Sequence, residues 1–186
     1  MHIHETTIPG VRLIDSDVFP DERGLFVRAW VADEFEAMGL ETRIVQASLA
    51  TNTRRGTIRG LHYQAPPFEE TKVIRAVRGR VWDVALDLRP DSPTFGQWYG
   101  VELGFDNHRL LYIPHGVAHG YQTLTDDAAV FYFVSEPYSP EHQRGVRWDD
   151  PAFGIEWPLG SPTSISERDA AFPDFGGAQR RDRSDV

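Results

Sequence analysis

The chain has 186 residues, 40% hydrophobic and 12% aromatic, which is the composition of a folded globular protein rather than a disordered one. Its formal net charge of −9 disfavours non-specific nucleic-acid binding, and the absence of cysteine excludes disulfides, thiolate metal sites and cysteine nucleophiles. No apolar run approaches the roughly 18 residues that span a bilayer, and the N-terminus lacks a signal-peptide pattern, so we expect a cytoplasmic protein with no membrane or nucleic-acid partner.

Alternating apolar residues between turn signals predict eight strands. In chain order they are Gly24–Trp30, Arg43–Ala50, Thr57–Tyr63, Lys72–Val77, Arg80–Leu88, Gln97–Leu103, Arg109–Ile113 and Ala128–Ser135. The Arg78-Gly79 pair predicts a hairpin between the fourth and fifth strands. Two short helices are also predicted. One covers Ala32–Met38, and the other begins at Ser166, where Ser166 and Asp169 resemble a capping box.

The spacing of these elements predicts an all-β protein. Helical segments long enough for parallel crossovers are missing, which favours an antiparallel sandwich or barrel. Because there is neither a repeat nor a linker, residues 1–175 are predicted to form a single domain. Residues 176–186 are rich in Gly, Arg and Asp, and we expect a flexible C-terminal tail there.

Two histidines, each in a glycine-containing segment, are candidate catalytic residues. His62 and His119 occur at or near predicted strands, whereas His108 and His142 lie in polar loops, where a solvated histidine is ordinary. Arg59 precedes His62 by three residues. If both side chains line one pocket, a fixed cation lies beside a base, which suits proton transfer on an anionic substrate.

The same histidines leave a metal site open as an alternative. His62, His119 and either Glu69 or Glu70 supply the two imidazoles and one carboxylate that some metal centres use. The close His-x-His pair common in such sites is absent, because position 64 is Gln. Two convincing histidines make weak support for zinc or iron.

The other alternative is acid–base chemistry beside a carbonyl group, which needs a base, an acid and a donor for the enolate oxygen. His62 is a candidate base with a buried aspartate to orient it, Tyr132 a candidate acid and Lys72 a candidate oxyanion partner. Each also has an ordinary interpretation, since Tyr132 suits a plain strand aromatic and Lys72 a solvated strand edge. Spacing alone leaves the choice open.

Several cationic and aromatic residues are candidates for binding a nucleotide. Arg23, Arg59 and Arg168 can engage phosphate oxygens, and Phe19 and Phe26 can stack on a base. Surface charge and core packing are the ordinary alternatives for these arginines and phenylalanines.

Eight ordered motifs resemble one family, the dTDP-4-dehydrorhamnose 3,5-epimerases, which act on nucleotide-linked 4-keto sugars. The motifs are Asp21–Phe26, Arg59–Gln64, Asp83–Arg89, Ser92–Gly96, Ile113–Gly120, Tyr138–Glu141, Trp148–Pro151 and Ile165–Asp169. The resemblance implies an all-β, cupin-type jelly roll (double-stranded β-helix) with short peripheral helices. It also implies a homodimer and an isomerase that uses no metal and no cofactor.

The resemblance further implies a role for individual residues. His62 is the base with Asp169 as its partner, Tyr132 is the acid at carbon 5, and Lys72 stabilises the enolate oxygen. A carboxylate that accepts from one ring nitrogen fixes the histidine tautomer. The residues expected to contact substrate are Phe19, Arg23, Phe26, Arg28, Gln46, Ser48, Arg59, His119, Tyr138, Gln143 and Arg168. The expected reaction converts dTDP-4-dehydro-6-deoxy-D-glucose to dTDP-4-dehydro-L-rhamnose.

Five positions depart from the family pattern. Ser48 stands where Asn is expected, Arg28 and Gln143 replace Glu, Glu70 replaces Gln, and Phe133 replaces Lys. Because these changes affect residues expected near substrate, a mono-epimerase acting on carbon 3 or carbon 5 of a related sugar stays open. A non-catalytic sugar-nucleotide binding module and a metal-dependent cupin enzyme are further alternatives.

Overall fold

A computed structural model of the chain describes residues 1–176, which form 13 strands and two short helices. The strands are β1 His2–Glu5, β2 Arg12–Asp15, β3 Asp17–Asp21, β4 Gly24–Arg28, β5 Gln46–Asn52, β6 Ile58–Gln64, β7 Lys72–Arg78, β8 Arg80–Asp87, β9 Trp98–Gly104, β10 Arg109–Ile113, β11 Val117–Thr123, β12 Ala128–Val134 and β13 Gln143–Gly145. The helices are α1 Ala32–Ala37 and α2 Glu167–Ala170. Except for Gly176, the predicted flexible tail lies outside the described residues.

Two antiparallel sheets form the body of the protein. One has the strand order β1-β2-β10-β7-β12-β5, the other has the order β13-β6-β11-β8-β9, and β3 and β4 form a separate two-stranded hairpin. From β5 to β13 the chain changes sheet at every step except β8 to β9. This winding is that of a jelly roll. The expected all-β, cupin-type jelly roll with short peripheral helices is therefore confirmed.

The turn at Gly79 is a crossing between sheets and not the predicted hairpin. β7 pairs with β10 and β12, whereas β8 pairs with β9 and β11. Gly79 has a φ of +66°, and a Cβ there would lie 2.3 Å from Thr125 Oγ1, so only glycine fits without displacing a neighbour. The hairpin prediction was wrong because a short glycine turn looks the same in sequence whether the next strand stays in the sheet or leaves it.

All eight predicted strands are present, with ends that agree within three residues. The strands β1, β2, β3, β11 and β13 were not predicted. The most important of these is β11, because it lies between β6 and β8 and carries His119. Its glycine and histidine resemble a turn in sequence, but hydrogen bonds from both neighbouring strands keep it extended.

Each sheet buries apolar side chains on both faces, because successive residues of a strand point to opposite sides. Between the sheets, Ile74 and Leu111 join the main core, while their neighbours Val73 and Leu110 pack under α1 against Phe35. On the other sheet a second cluster packs against the C-terminal segment from position 146 onward. Among the described residues, neither helix has the length and apolar character needed to cross a membrane.

Candidate active site

A cleft of about 620 Å³ opens between the two sheets. It has walls from β5, β7 and β12 of one sheet, from β6 and β11 of the other, and from α2. Ten of the predicted site residues line it. They are Gln46, Arg59, His62, Lys72, His119, Tyr132, Tyr138, Gln143, Arg168 and Asp169.

His62 and Asp169 form a hydrogen-bonded pair at the wall of the cleft. The Nε2 atom of His62 lies 2.8 Å from Oδ1 of Asp169, and Oδ2 of the same carboxylate accepts the backbone N–H of Gly60 at 3.1 Å. A carboxylate only accepts hydrogen bonds, so the imidazole Nε2 carries the proton and Nδ1 is the basic nitrogen. Phe172 packs edge-on against the imidazole, with ring centroids 6.1 Å apart.

The short helix α2 delivers this carboxylate. Its N-cap is Ser166, whose Oγ accepts the backbone N–H of Asp169 at 3.1 Å, which is one half of the predicted capping box. The carboxylate of Asp169 does not return the contact to Ser166, because it accepts from Gly60 and pairs with His62. Burial raises the pKa of Asp169, whereas the hydrogen bonds from His62 and Gly60 lower it. The lowering effect is the larger of the two, so the pKa of Asp169 lies below its usual value. The carboxylate therefore stays ionised and able to hold His62.

A β-bulge explains why Arg59 and His62 line one cleft although an odd spacing would place them on opposite faces of a strand. His62 pairs with His119, but Arg59 pairs with Tyr121, so three steps on β6 match two steps on β11. Gly60 lies inside the bulge with a φ of +108°, and a Cβ there would lie 2.6 Å from the Cα of Gly120. Glycine at position 60 is thus required for both side chains to face the cleft.

Lys72 and Tyr132 approach from the opposite sheet. The Nζ atom of Lys72 donates to the backbone carbonyl of His62 at 3.0 Å and lies 3.0 Å from Oε1 of Glu70. Tyr132 lies on the neighbouring strand β12 and is half-buried. A ligand between the sheets would meet an imidazole on one side and an ammonium and a phenol on the other, which is the arrangement that proton removal beside a carbonyl needs.

A second histidine–aspartate pair lies beside the first. Nε2 of His119 is within hydrogen-bond distance of Oδ2 of the fully buried Asp83, at 3.1 Å. Asp83 was not identified from the sequence, although a carboxylate inside the apolar strand β8 is a signal for a buried partner. Within residues 1–176 no three His, Asp or Glu side chains are grouped to hold a metal ion, so the metal alternative with His62, His119 and Glu69 or Glu70 lacks its ligand set.

The mouth of the cleft is held by polar contacts between residues predicted to bind substrate. The hydroxyl of Tyr138 donates to Oε1 of Gln143 at 2.5 Å, and the backbone N–H of Tyr138 donates to Gln46 at 3.4 Å. Ser48 is not part of the cleft wall but accepts a 3.2 Å hydrogen bond from Gln46. Arg59 donates from Nε to Oδ1 of Asn52 at 2.7 Å, which fixes the direction of its guanidinium.

Four predicted binding residues lie outside the cleft of their own chain. Phe19, Arg23, Phe26 and Arg28 are on the β3–β4 hairpin, where Phe19 is 45% exposed and Phe26 is 62% exposed. The Arg28 guanidinium lies over the Phe19 ring at 5.3 Å. Arg23 forms an exposed ion pair with Asp21. The hairpin therefore presents two aromatic rings and two cations to its surroundings, and none of them to the base at His62.

The family model and the curated relative that match this chain have the same description. A family model described as dTDP-4-dehydrorhamnose 3,5-epimerase matches residues 5–176. The dTDP-4-dehydrorhamnose 3,5-epimerase of Shigella flexneri is 42% identical over 170 residues, which cover 91% of this chain and 93% of that protein.

Two solved structures are similar over most of their length. The dTDP-4-dehydrorhamnose 3,5-epimerase from Bacillus anthracis, with TDP and PPi bound, has a TM-score of 0.89 and 41% identity and covers 92% of this chain and 98% of that chain. A 3'-monoepimerase from Streptomyces bikiniensis in complex with dTDP-quinovose has a TM-score of 0.90 and 32% identity and covers 96% and 90% of the two chains. The likeness thus includes enzymes that differ in the number of carbons they invert.

Proposed function

The chain belongs to the dTDP-4-dehydrorhamnose 3,5-epimerase family, and we propose that it inverts carbons 3 and 5 of dTDP-4-dehydro-6-deoxy-D-glucose to give dTDP-4-dehydro-L-rhamnose. The observation that carries this proposal is the meeting of His62, Asp169, Lys72 and Tyr132 in one cleft, with the base on one sheet and the acid on the other. The protein is an isomerase, and the reaction consumes no reductant or oxidant because a proton leaves and a proton returns.

The first half of each inversion is proton removal beside the ketone. Nδ1 of His62 takes the proton from the sugar carbon, and the electron pair of the broken C–H bond moves into the enolate. The Lys72 ammonium stabilises the oxygen on which the negative charge develops. Asp169 keeps the imidazole in the tautomer with a free Nδ1 and balances the positive charge that His62 acquires.

The second half returns a proton on the opposite face of the carbon. At carbon 5 we assign this step to the hydroxyl of Tyr132, which approaches from the six-stranded sheet, across the cleft from His62. Removal from one side and return from the other inverts the configuration. A single group acting from one side would restore it.

Binding of the nucleotide diphosphate is assigned to arginine and aromatic side chains. Arg59 and Arg168 line the cleft and can each present a fork of N–H donors to phosphate oxygens. Phe19 and Phe26 are supported as base-stacking residues only if a second chain supplies them, because they lie outside the cleft of their own chain. We therefore propose a homodimer, in which the hairpin of one subunit completes the site of the other. We also propose a cytoplasmic location.

Solvent deuterium gives a direct test. The protein is incubated with dTDP-4-dehydro-6-deoxy-D-glucose in deuterated water, and label at carbons 3 and 5 is measured by NMR and mass spectrometry. Deuterium at both carbons, with formation of dTDP-4-dehydro-L-rhamnose, is the expected result. Tight binding of the substrate without any exchange would instead indicate a non-catalytic sugar-nucleotide binding module, and exchange that depends on added metal would indicate a metal-dependent enzyme.

A mono-epimerase is the second candidate. It is favoured by the likeness to the Streptomyces bikiniensis 3'-monoepimerase and by two changed residues that line the cleft, Glu70 and Gln143. The changed residue Phe133 does not contribute, because it packs under α1 on the face of β12 opposite Tyr132. The same experiment separates the two functions. Label confined to one carbon, even after long incubation, would assign the protein to the mono-epimerases.

A further inference from the structure

Lys72 is the only lysine in the sequence, and the other 18 of the 19 basic residues counted as Lys or Arg are arginines. The chain therefore has a single ammonium side chain, and it faces the cleft. An ammonium is a compact charge with three N–H donors, whereas a guanidinium is a planar fork. Because its stem has four rotatable bonds, such a group acts on one substrate atom only if other residues fix its direction.

Two contacts fix the direction of this ammonium. Nζ donates to the backbone carbonyl of His62 at 3.0 Å and contacts Oε1 of Glu70 at 3.0 Å. The Lys72 side chain is 11% exposed and the Glu70 side chain is 7% exposed, so water contributes little to either contact. One of the three N–H donors remains for a ligand in the cleft.

Glu70 has no other partner that explains its position. Its second oxygen, Oε2, is buried and accepts no hydrogen bond from any described residue. Burial of a carboxylate with an unpaired oxygen costs stability, so a side chain without a function would not be favoured here. Glu70 also lines the cleft, whereas its neighbour Glu69 does not.

We propose that Glu70 is a positioning residue that, together with the His62 carbonyl, holds the Lys72 ammonium with its third N–H directed at the ketone oxygen of the substrate. The role rests on the proposed function, since it gives Lys72 a sugar ketone to act on. Glu70 itself touches Lys72 and need not touch the reacting atoms.

In this role, residue 70 must place an acceptor oxygen next to Nζ of Lys72, and its negative charge is not required. Glutamine keeps the length and one acceptor oxygen but removes the charge. Aspartate keeps the charge but is one methylene shorter and draws the acceptor away from Nζ. Alanine removes both the acceptor and the charge.

The activity test compares Glu70→Gln, Glu70→Asp and Glu70→Ala, with the same three changes at Glu69 as matched controls. We expect E70Q to keep kcat within about threefold, and E70D and E70A to lose about 10-fold to 100-fold in kcat with little change in KM, because a misdirected donor weakens stabilisation of the enolate more than substrate binding. The Glu69 variants should behave as the unmodified protein. An active E70D beside an impaired E70Q would overturn the proposal in favour of a charge effect.

A second measurement needs no turnover, because the single lysine gives a single signal. Protein grown with ¹³C- and ¹⁵N-labelled lysine is observed by NMR without substrate. We expect an ordered Lys72 side-chain resonance in the unmodified protein and in E70Q, and a motionally averaged one in E70D and E70A. An ordered signal in E70A, or kcat retained in that variant, would overturn the role of Glu70. If the unmodified protein exchanges no proton with the sugar, the proposed function fails, and the NMR comparison still decides whether Glu70 positions Lys72.

Discussion

The cleft and the β3–β4 hairpin carry the two groups of residues expected to contact substrate, and they differ in how they are held. In the cleft, two of the reactive side chains have a buried carboxylate as their partner, Asp169 for His62 and Glu70 for Lys72. On the hairpin the rings of Phe19 and Phe26 are exposed, and the Arg28 guanidinium that lies over the Phe19 ring belongs to the hairpin itself.

This difference separates two tasks that one chain performs. Chemistry needs groups held in fixed directions, and the contacts of His62 with Asp169 and of Lys72 with Glu70 and the His62 carbonyl provide them. Exposed aromatic rings have no such support, but they are available for a nucleotide base or for a second copy of the chain. Changes to the reactive side chains of the cleft should therefore reduce kcat, and changes on the hairpin should alter KM and assembly.

Substitution of the proposed base should have the largest effect. His62→Ala is expected to reduce deuterium exchange at both carbons by about 10²-fold to 10⁴-fold, because general base catalysis contributes a factor of that order and both inversions begin with proton removal. Exchange is measured by NMR with the substrate in deuterated water. His115→Ala, at an exposed histidine outside the cleft, is the control and should keep full activity. Full activity of H62A would remove His62 as the base.

Loss of the proposed acid should affect one carbon more than the other. Tyr132→Phe keeps the ring that packs against the core but removes the hydroxyl, and we expect about a 10²-fold loss at carbon 5 with much less loss at carbon 3. The two carbons are followed separately in the same deuterium experiment. Phe131→Tyr adds a hydroxyl at the adjacent residue of β12 and should not change the ratio of the two rates. Equal losses at both carbons in Y132F would contradict a role confined to carbon 5.

The strands around the cleft could be predicted from the sequence because their alternation is strong, and α2 could be predicted because Ser166 and Asp169 form a capping pattern. The bulge at Gly60 could not, since it depends on the close approach of Gly120 from a strand that resembles a turn. The resemblance suggested which residues act. It could not indicate that Asp83 holds His119, or that Glu70 holds Lys72, because both contacts depend on side-chain directions.

Asp87 is a buried carboxylate outside both the cleft and the hairpin, so a change there should affect the stability of the fold without affecting kcat or KM. Asp87 is fully buried and accepts hydrogen bonds from Arg89, Ser92 and Thr94. Burial raises the pKa of Asp87, but these hydrogen bonds outweigh it and lower the pKa to about 2. Because the folded-state pKa lies below the unfolded value of 3.8, the stabilisation is complete above about pH 4 and is lost as the pH falls through about 2.

Asp87→Asn should therefore lower the free energy of unfolding by about 2 kcal/mol near neutral pH, with kcat and KM unchanged under conditions where the variant is folded. Urea unfolding at a series of pH values measures the effect. The difference between the variant and the unmodified protein should shrink as the pH falls from about 4 to about 2. A difference that is constant over this range would show that the ionised form of Asp87 is not what stabilises the fold.

The hairpin should give the smallest effect, and one of a different kind. Phe26→Ser is expected to raise KM for the nucleotide sugar about tenfold and to weaken the dimer, with kcat nearly unchanged, because an exposed ring contributes packing energy of about 1 kcal/mol and no group to the chemistry. Steady-state kinetics and sedimentation measure the two effects. Phe105→Ser is the matched control, since Phe105 is 58% exposed and Phe26 is 62% exposed, but Phe105 lies outside both the hairpin and the cleft.

The pattern of results decides what the hairpin does. If F26S raises KM and weakens the dimer while F105S does neither, the hairpin contributes to binding across the subunit interface. A rise in KM with an unchanged dimer would mean that Phe26 contacts the nucleotide without holding the subunits together. If kcat falls while KM stays constant, the division between the two regions is wrong, because the exposed rings would then be shaping the cleft in which His62 and Lys72 act.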